Sequence, residues 1–198
     1  MKYILATANP GKIKELGKIL FDLGIEFLTR KDLGINIEVD ETGSTFLENA
    51  TLKADAIAAA SGMPAIADDS GLIVDSLGGE PGLFSSSYGG EDLSDSRRSL
   101  YLLGKMENME HRSAKFVCTI VCSFPDGNHI TATGECHGEI ATEPRGTDGF
   151  GFDPVFLPAG KDRTMAELTI DEKNEISHRG IALREFSALL KAHKRDKN

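Results

Sequence analysis

The sequence predicts an α/β protein: a mixed, twisted sheet with flanking helices, arranged as two lobes around a central substrate cleft. Three observations predict it. The first half alternates short apolar, β-prone runs with amphipathic helical patterns. The second half adds alternating strands joined by turn residues, which read as antiparallel hairpins. The 198 residues, 40% hydrophobic and 27% charged, match an ordinary globular chain that buries roughly 70% of its unfolded surface.

The elements follow in order. "KYILAT" (2–7) is a buried strand. "NPGKIKELGKILFDLG" is a helix with Ile13, Leu16, Ile19, Leu20 and Leu23 at helical spacing. Asn9 suits its N-cap, Pro10 its first position and Gly24 its stop. "IEFLT" is a second strand, followed by the acidic loop "IEVDETGS" with Glu38, Asp40 and Glu41. "TFLENATLKADAIAAASG" (45–62) is a second helix, where Thr45 and Glu48 form a capping box and Gly62 closes the end. "PAIA" is a short strand that ends at Asp68 and Asp69. "SDSRRSLYLLGKM" is a helix. "AKFVCTIVCSF" (114–124), the turn "PDGN" and "HITATGECHGEIA" form a hairpin. A last helix begins near Ser177 with Ala182, Phe186, Leu189 and Leu190 as its apolar stripe, and the polar tail 191–198 frays.

Composition narrows the function classes. The net charge of −9 argues against a nucleic-acid or membrane surface, which needs a basic face. No apolar run approaches the ~20 residues of a membrane span, and "MKYILATANPGK" lacks a long apolar leader core. The three cysteines, Cys118, Cys122 and Cys136, lack CxxC spacing. They read as buried reduced thiols rather than as a zinc site with His137, and they point to the cytoplasm.

Four stretches carry candidate chemistry. "ADDSG" (67–71) reads either as a turn or as a site for a hard cation such as Mg²⁺, held by paired carboxylates. "TANPGK" (7–12) joins a strand to a helix N-terminus, a ready anion seat with Lys12 as added cation. It is not a P-loop, because Ala6 and Ile13 occupy the motif's Gly and Ser/Thr places. "GFGFD" (149–153) fails as a dinucleotide fingerprint at Pro154, which leaves Phe150 and Phe152 as core residues or as a face for a base. "EKNEISHRG" places Lys173, His178 and Arg179 around a helix start, where two cations are awkward unless they serve an anion or acceptor. Together these supply what a nucleoside triphosphate needs.

Five stretches in order, "ATANPGKIKEL", "ETGSTFLENATLKA", "ADDSGLIVDSLGGEPG", "GFGFDPVF" and "ISHRGIAL", resemble the inosine/xanthosine triphosphate pyrophosphatase family over nearly the whole chain. The resemblance implies an ITPase-like (anticodon-binding-like) α/β fold and a homodimer. It implies Mg²⁺-dependent hydrolysis of ITP, dITP and XTP to the monophosphate and pyrophosphate, which clears deaminated purines from the nucleotide pool. It further implies that Thr7, Ala8, Asn9, Pro10, Gly11 and Lys12 hold the triphosphate. Asp69 becomes general base and metal ligand, in the acidic company of Glu41 and Asp68, and the second ligand is Glu41 or else its neighbour Asp40 or Asp68. Lys53 faces the phosphates and Ser70 contacts substrate. Phe150, Gly151, Phe152, Asp153, Lys173, His178 and Arg179 hold the base. Where the family often reads "YSARY", this chain reads "FSSSY", with Ser87 at the Arg place. Phe152 stands where Tyr is common. The rival readings are a Maf-like pyrophosphatase of other base preference and a nucleotide-binding sensor without turnover.

Overall fold

A computed structural model describes residues 2–196. The chain divides into two compact units. The first runs through Asp69, resumes over Cys118–Gly134 and again from His178 onward; the second comprises Ser70–Val117 and Glu135–Ser177. Six strands form one sheet: β1 (Tyr3–Leu5), β2 (Phe27–Thr29), β3 (Ala65–Val74), β4 (Ser113–Ser123), β5 (His129–Ile140) and β6 (Phe156–Pro158), in the order β2-β1-β3-β4-β5-β6. β1 pairs in parallel with β2 and β3, with Tyr3 opposite Phe27 and Leu5 opposite Ile66, while β5 and β6 are antiparallel. The sheet is therefore mixed, as the alternation of the first half and the hairpins of the second require.

Helix α1 (Pro10–Asp22) starts where the sequence places it: the Asn9 side chain accepts from the Lys12 N–H, and Pro10 is the first helical residue. Helix α2 (Phe46–Ser61) is capped by the Thr45 hydroxyl, which accepts from the Glu48 N–H, and ends on Gly62 in the left-handed conformation. The Glu48 carboxylate also accepts from the N–H and hydroxyl of Ser44, at 2.6 and 2.7 Å. Helices α3 (Asp95–Lys105), α4 (Ile170–Ile176) and α5 (His178–Asp196) complete the set.

The first unit has a core on each face of its strands. Tyr3, Leu5, Ile66, Cys118 and Ile120 pack with Leu16 and Leu20 of α1 and Leu183 and Phe186 of α5. The residues between them, Ile4, Ala65, Ala67 and Val121, pack with Ala50, Ala54 and Ile57 of α2. This is the period of two that an extended strand imposes. Along α5 the buried stripe is Ala182, Leu183, Phe186 and Leu190; Leu189, expected there, is exposed, since it falls about 100° away from Leu190 around the helix. The tail expected to fray continues α5 as far as Asp196, and residues 197 and 198 lie outside the described part. The second unit has its own core, in which Leu72, Leu102, Phe116, Phe152, Phe156 and Met165 pack together. Among the described residues no helix is long and apolar enough to cross a membrane.

Candidate active site

The strand through the double aspartate does not end there. β3 continues from Ala65 to Val74, passing through Asp68, Asp69, Ser70 and Gly71 in extended conformation. The turn chemistry of the DDSG quartet loses to pairing with the neighbouring strands, β1 on one side and β4 on the other. Extension has a direct consequence: consecutive side chains point to opposite faces. Asp68 follows Ile66 toward α1 and α5, and Asp69 follows Ala67 toward α2.

Asp68 is sealed among cations. Its Oδ2 lies 3.0 Å from Lys12 Nζ and 3.5 Å from Arg179 Nε, and its side chain is fully buried. Arg179 Nη1 in turn meets Glu15 Oε2 at 2.9 Å, also buried. Burial by itself pushes the Asp68 carboxyl up; Lys12, Arg179 and Lys53 outweigh it and hold the group at about 2. Asp68 is thus a permanent anion that fixes two cations of the first unit.

Asp69 meets a different set. Its Oδ1 lies 3.1 Å from Lys53 Nζ and its Oδ2 accepts from Asn49 Nδ2 at 3.3 Å. The same ammonium lies 2.9 Å from Glu41 Oε2, so the acidic loop and β3 share one lysine. Asn49 closes the arrangement, since its Oδ1 accepts the Gly43 N–H at 2.7 Å and holds the acidic loop on α2. Burial raises the Asp69 carboxyl above its ordinary value; Lys53 and Lys12 pull it down and Glu41 pushes it further up, leaving it raised. Lys53 shows the mirror effect. Burial opposes its charge, but Asp69, Asp68 and Glu41 together leave its proton more tightly held.

The carboxylates expected to hold Mg²⁺, Asp69 and Glu41, both converge on the Lys53 ammonium. The donor set fits: hard oxygens, two in number, are what Mg²⁺ takes from a protein when substrate phosphates and water complete its shell. Among the described residues no group of three or more His, Cys, Asp or Glu side chains gathers as a metal cage.

The turn before α1 is open to an anion. Ala8, Asn9 and Pro10 are exposed, Thr7, Gly11 and Lys12 are half-buried, and the Thr7 hydroxyl accepts the Asn9 N–H at 3.2 Å. Pro10 has no N–H, the Asn9 side chain takes that of Lys12 and the Asn9 carbonyl that of Ile13, so what the turn offers an anion beside Lys12 is the Gly11 N–H and the positive dipole end of α1.

In the second unit the GFGFD loop is organised around Asp153. Its buried carboxylate accepts the Phe150 N–H at 2.8 Å and lies 2.5 Å from Lys173 Nζ, which sits 5.4 Å from the centroid of the Phe150 ring. Of the two phenylalanines, Phe152 is drawn into the core, 3% exposed, by packing with the second unit's apolar residues; Phe150 is the ring left half-buried. Ser70, the first residue of this unit, is half-buried. His178 and Arg179 open α5 in the first unit, both buried. The cysteines are buried free thiols, and His137 pairs with Glu135 at 3.1 Å.

Sequence reasoning missed Glu15 and Asn49. A glutamate and an asparagine inside helices read as solvated polar residues, and nothing local marks Glu15 as the partner of Arg179, 164 positions away. One signal was present for Asn49: it falls one turn from Lys53 on α2, on the face that presents Lys53 to Asp69.

Fold and site define a class: a mixed-sheet α/β protein with a strand-to-helix anion turn and, on one strand, a neutralised carboxylate next to a basic one. Comparison with known proteins makes this specific. The sequence pattern of the Ham1 family matches residues 3–189, and the chain belongs to that family. A dITP/XTP pyrophosphatase of Bacillus subtilis is 47% identical over 191 residues, 96% of each chain. One from Thermus thermophilus is 48% identical over 98% of this chain and 92% of its own. Among solved structures, the Staphylococcus aureus Ham1 protein superposes with a TM-score of 0.87 at 41% identity, covering 98% of this chain and 100% of that one.

Proposed function

We propose that this protein hydrolyses non-canonical purine nucleoside triphosphates, dITP, ITP and XTP, to the monophosphate and pyrophosphate. The observation that carries the proposal is the inequality of the two aspartates: Asp68 is locked as an anion between Lys12 and Arg179, while Asp69 is held near Lys53 and Glu41 with a raised affinity for a proton. The names of the relatives point to the same reaction.

In this reading a water attacks the α-phosphorus and pyrophosphate leaves. Asp69 takes the proton of that water; a carboxylate raised by burial is a better base than an exposed one. Lys53 and Lys12, with the exposed N-terminal turn of α1 and residues Thr7 to Gly11, stabilise charge on the phosphate oxygens. Asp69 and Glu41 would hold Mg²⁺, which supplies charge neutralisation and makes bound water more acidic. Ser70 contacts the substrate in the same reading. Phe150 offers its ring to the base while Gly151, Phe152 and Asp153 shape the loop beneath it. Lys173 and His178 donate to the 6-oxo group that hypoxanthine and xanthine carry. Arg179 acts through Asp68, to which it is already bonded. The protein acts as a cytoplasmic homodimer, without a nucleic-acid or membrane partner.

A panel of triphosphates assayed for both products tests this. ITP yields the monophosphate and pyrophosphate in one step; diphosphate and orthophosphate appearing first refutes attack at the α-phosphorus. Adenine presents an amine to a donor-lined site, a mismatch worth factors of about 10⁴. Comparable kcat/KM for ATP and ITP overturns the donor assignment, and a preference for dTTP or UTP selects the Maf-like alternative.

A further inference from the structure

The loop that takes the base in the reading above is gripped by a helix with no role in it so far. Gly151 lies between Phe150 and the buried Asp153, in the left-handed conformation at φ +63°, which residues with a Cβ rarely adopt. Both polar groups of this residue bond to α3. Its N–H donates to Asp95 Oδ2 at 2.7 Å, and its carbonyl accepts from Ser99 Oγ at 3.2 Å. Asp95 and Ser99 are four residues apart and so lie one above the other on a single face of α3. The connection continues inward, because the Phe150 N–H bonds Asp153, and Asp153 holds the Lys173 ammonium beneath the Phe150 ring.

We propose that Asp95 and Ser99 are positioning residues for base recognition: they clamp Gly151 and thereby set where the Phe150 ring and the Lys173 ammonium meet the purine. This rests on the base-binding role of the loop. Stability does not require the clamp. Asp95 is exposed, and α3 is anchored independently through buried Arg98, which bonds the carbonyls of Tyr88, Gly90 and Leu93, and through fully buried Leu102. A group that holds a binding loop in place affects KM, and a group that acts only in the transition state affects kcat.

The test compares Asp95→Ala, Asp95→Asn and Ser99→Ala with wild type on ITP and ATP, with melting temperatures. Asp95→Ala raises KM for ITP about tenfold, the scale of one charge-assisted hydrogen bond, with kcat within about twofold. Ser99→Ala gives a smaller rise. Asp95→Asn, whose amide oxygen still accepts the Gly151 N–H, restores KM to near wild type. The preference for ITP over ATP falls with Asp95→Ala, and the melting temperature stays with the wild type. Wild-type KM in Asp95→Ala, or equal damage from Asp95→Asn, overturns the clamp; the second result assigns the effect to charge at the start of α3. Gly151→Ala attacks the same placement without touching α3, and a wild-type KM there also counts against it. Phe150→Ala separates the two proposals. A raised KM in Phe150→Ala with none in Asp95→Ala refutes the clamp alone, and no change in either refutes the base-binding loop and the clamp with it.

Discussion

Replacing Asp68 and Asp69 in turn by Asn should give opposite phenotypes from adjacent positions. The Asp68 carboxyl falls from an unfolded value of 3.8 to about 2 in the folded protein. At about 1.4 kcal/mol per pH unit between the two values, its charge contributes about 2 kcal/mol. The sign follows from the depression. That contribution is complete above pH 3.8 and is lost as pH falls from there toward 2. Asp68→Asn forfeits it at neutral pH and also strips Lys12 and Arg179 of their shared anion, which brings the total loss to about 2–5 kcal/mol. The Asp69 carboxyl is raised, so its ionisation costs stability as pH climbs past the unfolded value. Asp69→Asn removes that cost while its amide oxygen still accepts from Lys53 or Asn49. Stability therefore stays level or rises slightly, and kcat falls by about 10²–10⁴, the worth of a general base. Urea unfolding at neutral pH and at about pH 3, with kcat on dITP in saturating Mg²⁺, measures both. The gap in stability between wild type and Asp68→Asn should narrow at the acid pH. The reasoning is refuted if Asp69→Asn is the less stable of the two, or if it keeps more than about a tenth of wild-type kcat.

Three further outcomes follow from the packing. Lys173→Met leaves the Asp153 carboxylate, 4% exposed, without its cation; it should cost about 3–5 kcal/mol in urea unfolding and raise KM for ITP, and an unchanged midpoint would contradict the buried pair. Gly134→Ala places a Cβ against the carbonyl of His178 and the N–H of Ala182, backbone atoms that cannot turn aside, so it should destabilise by about 1–3 kcal/mol and weaken substrate binding by displacing the first turn of α5. Burial pushes the Cys122 thiol up to about 12 and the Cys136 thiol to about 11, with Cys118 higher still, so a disulfide reagent at about pH 8 should label none of the three in the native protein and all of them in urea. Rapid labelling of any one in the native state would count against its burial.

What the sequence conveyed was local. The cap at Asn9, the stop at Gly62 and the hairpin around "PDGN" all depend on neighbours within a few residues, and each appears where expected. What it concealed was long-range or a matter of competition. The DDSG quartet has the composition of a turn, and only pairing with strands from elsewhere in the chain makes it extended. Phe150 and Phe152 look alike in "GFGFD", and the side chains packed around them decide which is core. Nothing local in "ISHRG" shows that the Arg179 guanidinium pairs with Asp68 and Glu15, 111 and 164 positions away.

The extended strand also explains why this charge pattern suits a polyanionic substrate in a chain of net charge −9. On a turn, two adjacent carboxylates share one environment and repel. On β3 they face opposite ways, and each has its own nearest cations: Lys12 and Arg179 for Asp68, Lys53 for Asp69. Counting Glu15 and Glu41, four carboxylates of the first unit engage three cationic side chains. Those cations are therefore already committed before any phosphate arrives. In the proposed reaction a triphosphate would add several negative charges that the engaged lysines offset only in part, so charge balance at Asp69 and Glu41 would favour a divalent cation arriving with it. Asp68 keeps Lys12 and Arg179 ordered. In the proposed reaction Asp69, the residue with the weaker hold on its charge, is the carboxylate that would turn from lysine to a metal ion.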